Sequence, residues 1–313
     1  MGIGLLFPGQ GSQFVGMGKD LAERFSVVRE TFQEADDALD FALSRLCWGG
    51  PEDELTLTKN AQPAILVHSI AVWRMLQDQG LPVVIAAGHS LGEFSAHVAA
   101  GSLGFADAVR TVRLRGELMY RSGTERPGTM AAVIGLDDAA LEQACREASE
   151  PDSVVVPANY NAPGQVVISG DSAAVARAGE RLKAAGAKRV LPLNVSGAFH
   201  SPLMKVAEAG LQEHLEQISI EAPAFPVVSN VTAEPVSEPA EIRRLLVEQL
   251  TSPVRWVASV QTMSALTQRY LELGPGNVLA GLVRRTTKEA EIKSLGTADQ
   301  LEAFLAEEVG QWS

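Results

Sequence analysis

Residues 86–101, AAGHSLGEFSAHVAAG, restrict the folds open to this chain more than any other stretch. Gly88-His89-Ser90-Leu91-Gly92 fits G-x-S-x-G, a sharp strand-to-helix turn that lifts a serine above a sheet and needs small residues where strand and helix cross. Upstream, Leu81-Pro82-Val83-Val84-Ile85-Ala86-Ala87 reads as a short buried strand; downstream, Phe94, Val98 and the stop at Gly101 suit a helix. Ser90 has two readings in this setting. With Glu93 it forms S-x-x-E, a capping box in which the serine oxygen accepts a backbone N–H and the glutamate reciprocates. Alternatively it is a nucleophile presented by the turn.

The rest of the chain fits an α/β fold. Residues 3–7 read as a first buried strand running into Pro8-Gly9-Gln10-Gly11-Ser12. This loop is no dinucleotide fingerprint, because Phe14 stands where the third glycine belongs, and Gly16 and Gly18-Lys19 are wrongly spaced for a phosphate cradle. Its backbone N–H groups can still bind an oxyanion. Helical patterns follow near 18–45, 60–79 and 105–121. From 127 the texture changes: strand 129–134, helix 138–148, strands 154–158 and 165–169, helix 171–185 and strand 188–193. That β-α-β-β-α-β order is the ferredoxin-like split unit. It predicts a small domain, 127–195, inserted into a larger α/β domain made of 1–126 and 196–313, with further strands at 227–229 and 270–273.

Composition narrows the function. A chain of 313 residues, 46% hydrophobic and 20% charged, has ample material for a core, and its formal net charge of −12 argues against general nucleic-acid binding. Cys47 and Cys145 stand far apart, so neither a disulfide framework nor a cysteine-rich zinc site is expected, and a reducing cytoplasm suits them. The N-terminal apolar run ends at Pro8 without a basic region, which excludes a signal peptide, and Leu6 breaks the myristoylation pattern. No apolar stretch approaches the roughly 20 residues needed to span a bilayer, so no membrane partner is expected.

A serine nucleophile requires a base, and five histidines compete for the role. His68 sits in an apolar helical run and reads as a core residue. His89 adjoins Ser90 and should project away from it, supporting the turn. His97 lies about two helical turns from the serine, and His214 stands in a polar stretch that suggests solvent. His200 differs: in NVSGAFHSPLM it occupies a loop after a strand, where the catalytic groups of α/β folds gather, and Pro202 marks a new helix. None of these histidines has a metal-ligand spacing.

With Pro8-Gly9-Gln10-Gly11-Ser12-Gln13, Gly88-His89-Ser90-Leu91-Gly92-Glu93 and Gly197-Ala198-Phe199-His200-Ser201 in view, the sequence resembles the malonyl-CoA:acyl carrier protein transacylases and the related acyltransferase domains of polyketide synthases. Further matching blocks are Arg113-Leu114-Arg115-Gly116, residues 159–170, residues 249–256 and Glu272-Leu273-Gly274-Pro275-Gly276. Seven blocks stand in the family's order. The resemblance implies a large α/β-hydrolase-like domain with a ferredoxin-like insertion, and it selects the nucleophile reading of Ser90. It also implies His200 as base and the backbone N–H groups of Gln10 and Leu91 as oxyanion hole. Arg115 would hold the malonyl carboxylate in its planar fork. A backbone carbonyl of Gln249, in place of an acidic triad member, would orient the imidazole and so spare an anionic substrate repulsion, and the resemblance also counts Gln249 among the substrate contacts. Asn159 would line the cleft, although it and Asn161 equally suit the turn before Pro163. Phe199 is bulky where α-branched acyl groups would need room, which favours malonyl over methylmalonyl.

Implied partners are a CoA thioester substrate and acyl carrier protein, with no cofactor and no metal. An acidic carrier would need a local basic patch, for which Lys183, Lys188, Arg189, Arg284, Arg285 and Lys288 are candidates. Two rival functions remain: a hydrolase, in which water resolves the acyl-serine, and a catalytically silent docking module. Arg115 argues against a hydrolase of uncharged chains, since it would leave a buried cation unpaired.

Overall fold

Among the described residues, ten strands form two sheets that meet at the site. The computed structural model describes residues 2–312. Its strands are β1 (Ile3–Phe7), β2 (Val83–Gly88), β3 (Gly128–Ile134), β4 (Val155–Ala162), β5 (Gln165–Asp171), β6 (Arg189–Pro192), β7 (Val227–Val228), β8 (Pro235–Val236), β9 (Arg269–Leu273) and β10 (Glu291–Leu295). The larger sheet has the order β10-β9-β1-β2-β7-β8. Its pairings are parallel except for the short antiparallel β7–β8 edge. All five residues of β1 are buried, the unbroken apolar pattern of a strand covered on both faces. The smaller sheet is antiparallel, in the order β4-β5-β3-β6.

Helix Thr58–Leu76 is buried nearly all round and packs against helix Phe105–Glu125. That contact carries Gln62 and Arg115 toward the carboxyl ends of β1 and β2. Asn159 lies where β4 is interrupted by irregularities at Pro157/Asn159 and Tyr160/Ala162, and such bulges redirect side chains. Tyr160 N–H donates to Val254 and Val254 N–H to Ala158, at 2.9 and 2.8 Å, which ties the smaller sheet to the loop following Gln249.

The structure departs from the expected elements in several places. The pattern near 18–45 is three helices, Lys19–Arg24, Ser26–Leu39 and Leu43–Gly49. Phe25 is extended between the first two, and Asp40 adopts left-handed backbone after the second, a conformation a short polar side chain tolerates. β4 continues to Ala162 rather than stopping at 158, because its bulges carry the polar Asn159 and Asn161 through the pairing. Strand β10 gave no sequence signal, since Glu291, Lys293 and Ser294 interrupt its apolar pattern.

Candidate active site

The turn after β2 is shaped by close approach. A Cβ on Gly88 would fall 1.8 Å from the Gly92 carbonyl carbon, and one on Gly92 would fall 2.0 Å from the Phe7 carbonyl oxygen. Only glycine fits at either position. Ser90, between them, sits at φ 51° and ψ −106°, at the start of helix Leu91–Ala99. Its hydroxyl makes no capping bond, so the capping-box reading fails: the strained backbone turns the side chain away from the helix amides. Asn230 at the end of β7 holds this shape. Its Oδ1 accepts from Ser90 N–H at 2.7 Å, and its Nδ2 donates to the Gly88 carbonyl at 2.7 Å.

His200 reaches the serine from the loop after β6, its own φ at 56°. Ser201 pins that loop by donating to the Ala198 carbonyl and accepting from Leu203 N–H. Nδ1 faces two carbonyl oxygens, Gln249 at 2.9 Å and Ser252 at 3.2 Å. Carbonyls only accept, so Nδ1 carries the proton and Nε2 presents a lone pair to the Ser90 hydroxyl at 2.8 Å. Burial first, and the Arg115 charge second, push the imidazole pKa down to about 3. It is therefore neutral, in the form of a base, at physiological pH.

Arg115 is almost wholly buried and touches no carboxylate. Nη1 donates to Gln62 Oε1 at 2.7 Å; Nη2 donates to Gln249 Oε1 at 2.8 Å and to Ser90 Oγ at 3.2 Å. Its Nε has no acceptor among the described residues. Desolvation lowers its pKa to about 10, only partly offset by the charge of Glu93. The result is a cation held by neutral amides beside the serine, with donor capacity unspent. Burying a charge without a partner is costly, so the arrangement favours an incoming anion.

A cavity of ≈ 300 Å³ opens over this group, walled by Ser90, His200, Arg115 and Phe199 together with Asn159 and Met130 from the smaller sheet. Gln10 and Leu91 border the same space. As the first residue of its helix, Leu91 has an N–H with no intrahelical acceptor. Gln249 does not reach the cavity wall; it stands behind it, supporting Arg115 and His200, which corrects its assignment as a substrate contact. A wider recess of ≈ 610 Å³ adjoins at Gln10, Thr56, Asn194 and Val195.

The other histidines are accounted for structurally. His68 is buried 3.0 Å from the Gly296 carbonyl, and His97 is buried 3.4 Å from the Ser102 hydroxyl. His89 is on the cavity wall rather than pointing away, and its Nε2 donates to Asn161 Oδ1 at 2.7 Å. His214 is half-buried and donates to Thr111 Oγ1 at 3.0 Å, not free in solvent as its polar neighbours suggested. Arg285 bonds to Gln165 and to the Pro163 carbonyl, tying its helix to the β4–β5 turn. Among the described residues, no three His, Cys, Asp or Glu side chains come together as a metal-binding group.

Sequence reasoning missed three supports: Asn230, Gln62 and the true role of Glu93. Glu93 is fully buried, and its Oε2 accepts from Asn230 N–H at 3.0 Å and from Gln249 Nε2 at 2.6 Å. Gln62 carried a signal, an amide directly before the apolar helical run of residues 63–67. Asn230 had one too, as a polar residue at the carboxyl end of a parallel strand.

A serine within hydrogen-bond reach of a neutral imidazole, with a buried guanidinium beside it, can take up an acyl group as an ester and pass it on. The acyl transferase domain family matches residues 5–305, and the chain belongs to that family. It is 47% identical over 298 residues to the malonyl CoA-acyl carrier protein transacylase of Bacillus subtilis, covering 95% of this chain and 93% of that protein. With the enzyme of the same name from Escherichia coli K12 it shares 48% over 303 residues, 96% and 97% of the two chains. The crystal structure of an acyl carrier protein S-malonyltransferase from Vibrio cholerae superposes with a TM-score of 0.93 at 45% identity, over 97% of this chain and 99% of that one. A malonyl-transacylase in complex with a type II PKS acyl-carrier protein gives 0.93 at 44%, over 97% and 98%.

Proposed function

We propose that this chain transfers malonyl groups from CoA to the phosphopantetheine thiol of acyl carrier protein through a malonyl-serine ester. The observation that carries the reading is the Ser90 hydroxyl, 2.8 Å from His200 Nε2 and 3.2 Å from Arg115 Nη2 within one cavity. Malonyl-CoA binds with its free carboxylate on Arg115, whose unspent donors and fork geometry match it. His200 takes the hydroxyl proton as Ser90 Oγ attacks the thioester carbonyl. The N–H groups of Gln10 and Leu91 receive the developing oxyanion, where one such donor contributes about 2.7–4 kcal/mol. The C–S bond breaks and CoA leaves as the thiol with the proton from His200. The carrier thiol then gives its proton to His200, attacks the ester and departs as malonyl thioester, restoring the Ser90 hydroxyl. Asn159 and Phe199 shape the acyl pocket.

Nucleophile, base and anion-binding groups all come from the chain, so the reading includes no resident cofactor and no metal. We assign a large α/β-hydrolase-like domain to 1–126 and 196–313 and a ferredoxin-like subdomain to 127–195. The order β4-β5-β3-β6, with helices Asp138–Ala148 and Ser172–Ala184 as the two crossovers, supports the latter. No helix among the described residues is long and apolar enough to cross a membrane. Cys47 and Cys145 are free and buried, which suits the cytoplasmic setting we assign.

Intact-mass analysis tests the reading. Malonyl-CoA should add one malonyl group to the wild type and none to Ser90→Ala, and holo carrier protein should remove it as malonyl-carrier. Loss of the adduct to free malonate at the same speed without carrier would establish the hydrolase instead.

A further inference from the structure

The transfer steps give Glu93 no task, yet it is buried against the residues that perform them. Its Oε2 accepts from Gln249 Nε2 at 2.6 Å and from Asn230 N–H at 3.0 Å, while Oε1 is buried without a hydrogen-bond partner among the described residues. Gln249 is a hub. Its Oε1 accepts from Arg115 Nη2 at 2.8 Å, its Nε2 also donates to the Ser90 carbonyl at 3.1 Å, and its own carbonyl orients His200.

The two ends of a carboxamide are nearly the same in shape, so its neighbours decide which way it points. Arg115 offers only donors; Glu93 and the Ser90 carbonyl offer acceptors. A flipped amide would set NH₂ against the guanidinium and oxygen against oxygen. The 2.6 Å contact from Glu93 is shorter than the 3.1 Å contact from the Ser90 carbonyl and dominates the choice.

We infer that Glu93 is a positioning residue that, by accepting from Gln249 Nε2, fixes the Gln249 amide so that its oxygen holds Arg115 beside Ser90 for an acyl group with a terminal carboxylate. This rests on the transfer reading above. Acceptor geometry rather than charge is what the role requires, because Oε2 accepts both bonds whether or not the carboxyl is ionised. Burial raises the Glu93 pKa to about 7, so both forms occur near neutrality.

The test is the ratio of kcat/KM for malonyl-CoA to that for acetyl-CoA, read from Ser90 acylation. Glu93→Leu removes the acceptor and is expected to lower the ratio about 10-fold, the size of one displaced hydrogen bond to a charged group. The loss should fall on the malonyl arm, through KM. Glu93→Gln keeps an oxygen at the Oε2 position and should restore most of the ratio. In a Gln249→Leu background, Glu93→Leu should add nothing, since the two act as one unit. Should Glu93→Leu not fold, Glu93→Asp withdraws the acceptor by one methylene and should lower the ratio in its place. The inference is overturned by an unchanged ratio in a folded Glu93→Leu, by equal losses for both thioesters, or by undiminished loss without the Gln249 amide. Failure of the wild type to form malonyl-serine would instead remove the transfer reading, and it is visible before any variant is made.

Discussion

The Ser90 hydroxyl and the His200 imidazole, 110 residues apart in sequence, meet at 2.8 Å while both residues hold a positive φ, 51° and 56°. A non-glycine residue held in such a region costs on the order of 1–3 kcal/mol and persists only where its surroundings enforce it. Asn230 enforces it at Ser90, and the Ser201 bonds enforce it at His200.

That strain can be measured. Ser90→Gly and Ser90→Ala both lack the hydroxyl, but only glycine relaxes at this φ. Glycine also enlarges the entropy of the unfolded chain, by about 0.5–1 kcal/mol. Relief should exceed that amount, so the glycine variant is expected to unfold at higher urea, by about 1 kcal/mol. Coincident urea curves would show that the turn stores no strain.

Arg115 should govern which acyl group is accepted. Arg115→Ala removes the only guanidinium the cavity wall presents among the described residues. Acylation by malonyl-CoA should fall about 10- to 100-fold in kcat/KM, as expected for lost hydrogen bonds to a charge. Acetyl-CoA, with no carboxylate to anchor, should lose far less. Arg115→Lys should recover little, because an ammonium cannot reproduce the fork. Equal losses for both thioesters would move Arg115 from recognition to structure.

The dyad was legible because G-x-S-x-G and the loop histidine each carry local signatures, and the order of strands and helices from Gly128 to Pro192 was legible because alternating strands and amphipathic helices mark it clearly. What stayed hidden was relational. Glu93 read as the partner of a helix cap three residues away, and nothing local shows that positive φ at Ser90 would cancel that cap. Its real contacts, Asn230 and Gln249, lie 137 and 156 residues distant. Gln249 was placed correctly against His200 by resemblance, but its side chain toward Arg115 has no linear signal. β10 escaped because its exposed side carries polar residues.

Stability should depend on pH in two opposed windows. Burial lowers the histidine pKa values from 6.5, to about 4 at His68 and about 3 at His97 and His200, and lowers that of His89 as well. The unfolded chain therefore binds more protons below pH 6.5, and stability is lost as pH falls from there toward those values. Glu93 acts oppositely: raised from 4.5 to about 7, it binds its proton more tightly when folded, so it subtracts stability as pH rises from 4.5 through 7. The lowered histidines, His214 included, outweigh the raised carboxyls of Glu93, Glu272 and Asp138 in acid. Urea midpoints should drop steeply below pH 6, and His97→Gln, remote from the cavity, should flatten that limb. A midpoint independent of pH between 4 and 6 would contradict the buried neutral histidines.

Phe199 sets a last expectation, on acyl shape. It is 6% exposed, stands directly before His200 and faces the ≈ 300 Å³ cavity. A branch on the α-carbon of the acyl group must sit within reach of the Ser90–His200 pair, because the α-carbon is bonded to the carbonyl under attack. The Phe199 ring limits the room there. Phe199→Ala should therefore raise methylmalonyl loading relative to malonyl in a competition scored by adduct mass, while Arg115 still selects for the carboxylate that both acyl groups carry. Because pocket walls discriminate a single methyl group by only about 1–3 kcal/mol, the shift should lie between about 10- and 200-fold. An unchanged adduct ratio in the folded variant would place the steric limit elsewhere on the wall, with Met130 as the next side chain to shorten.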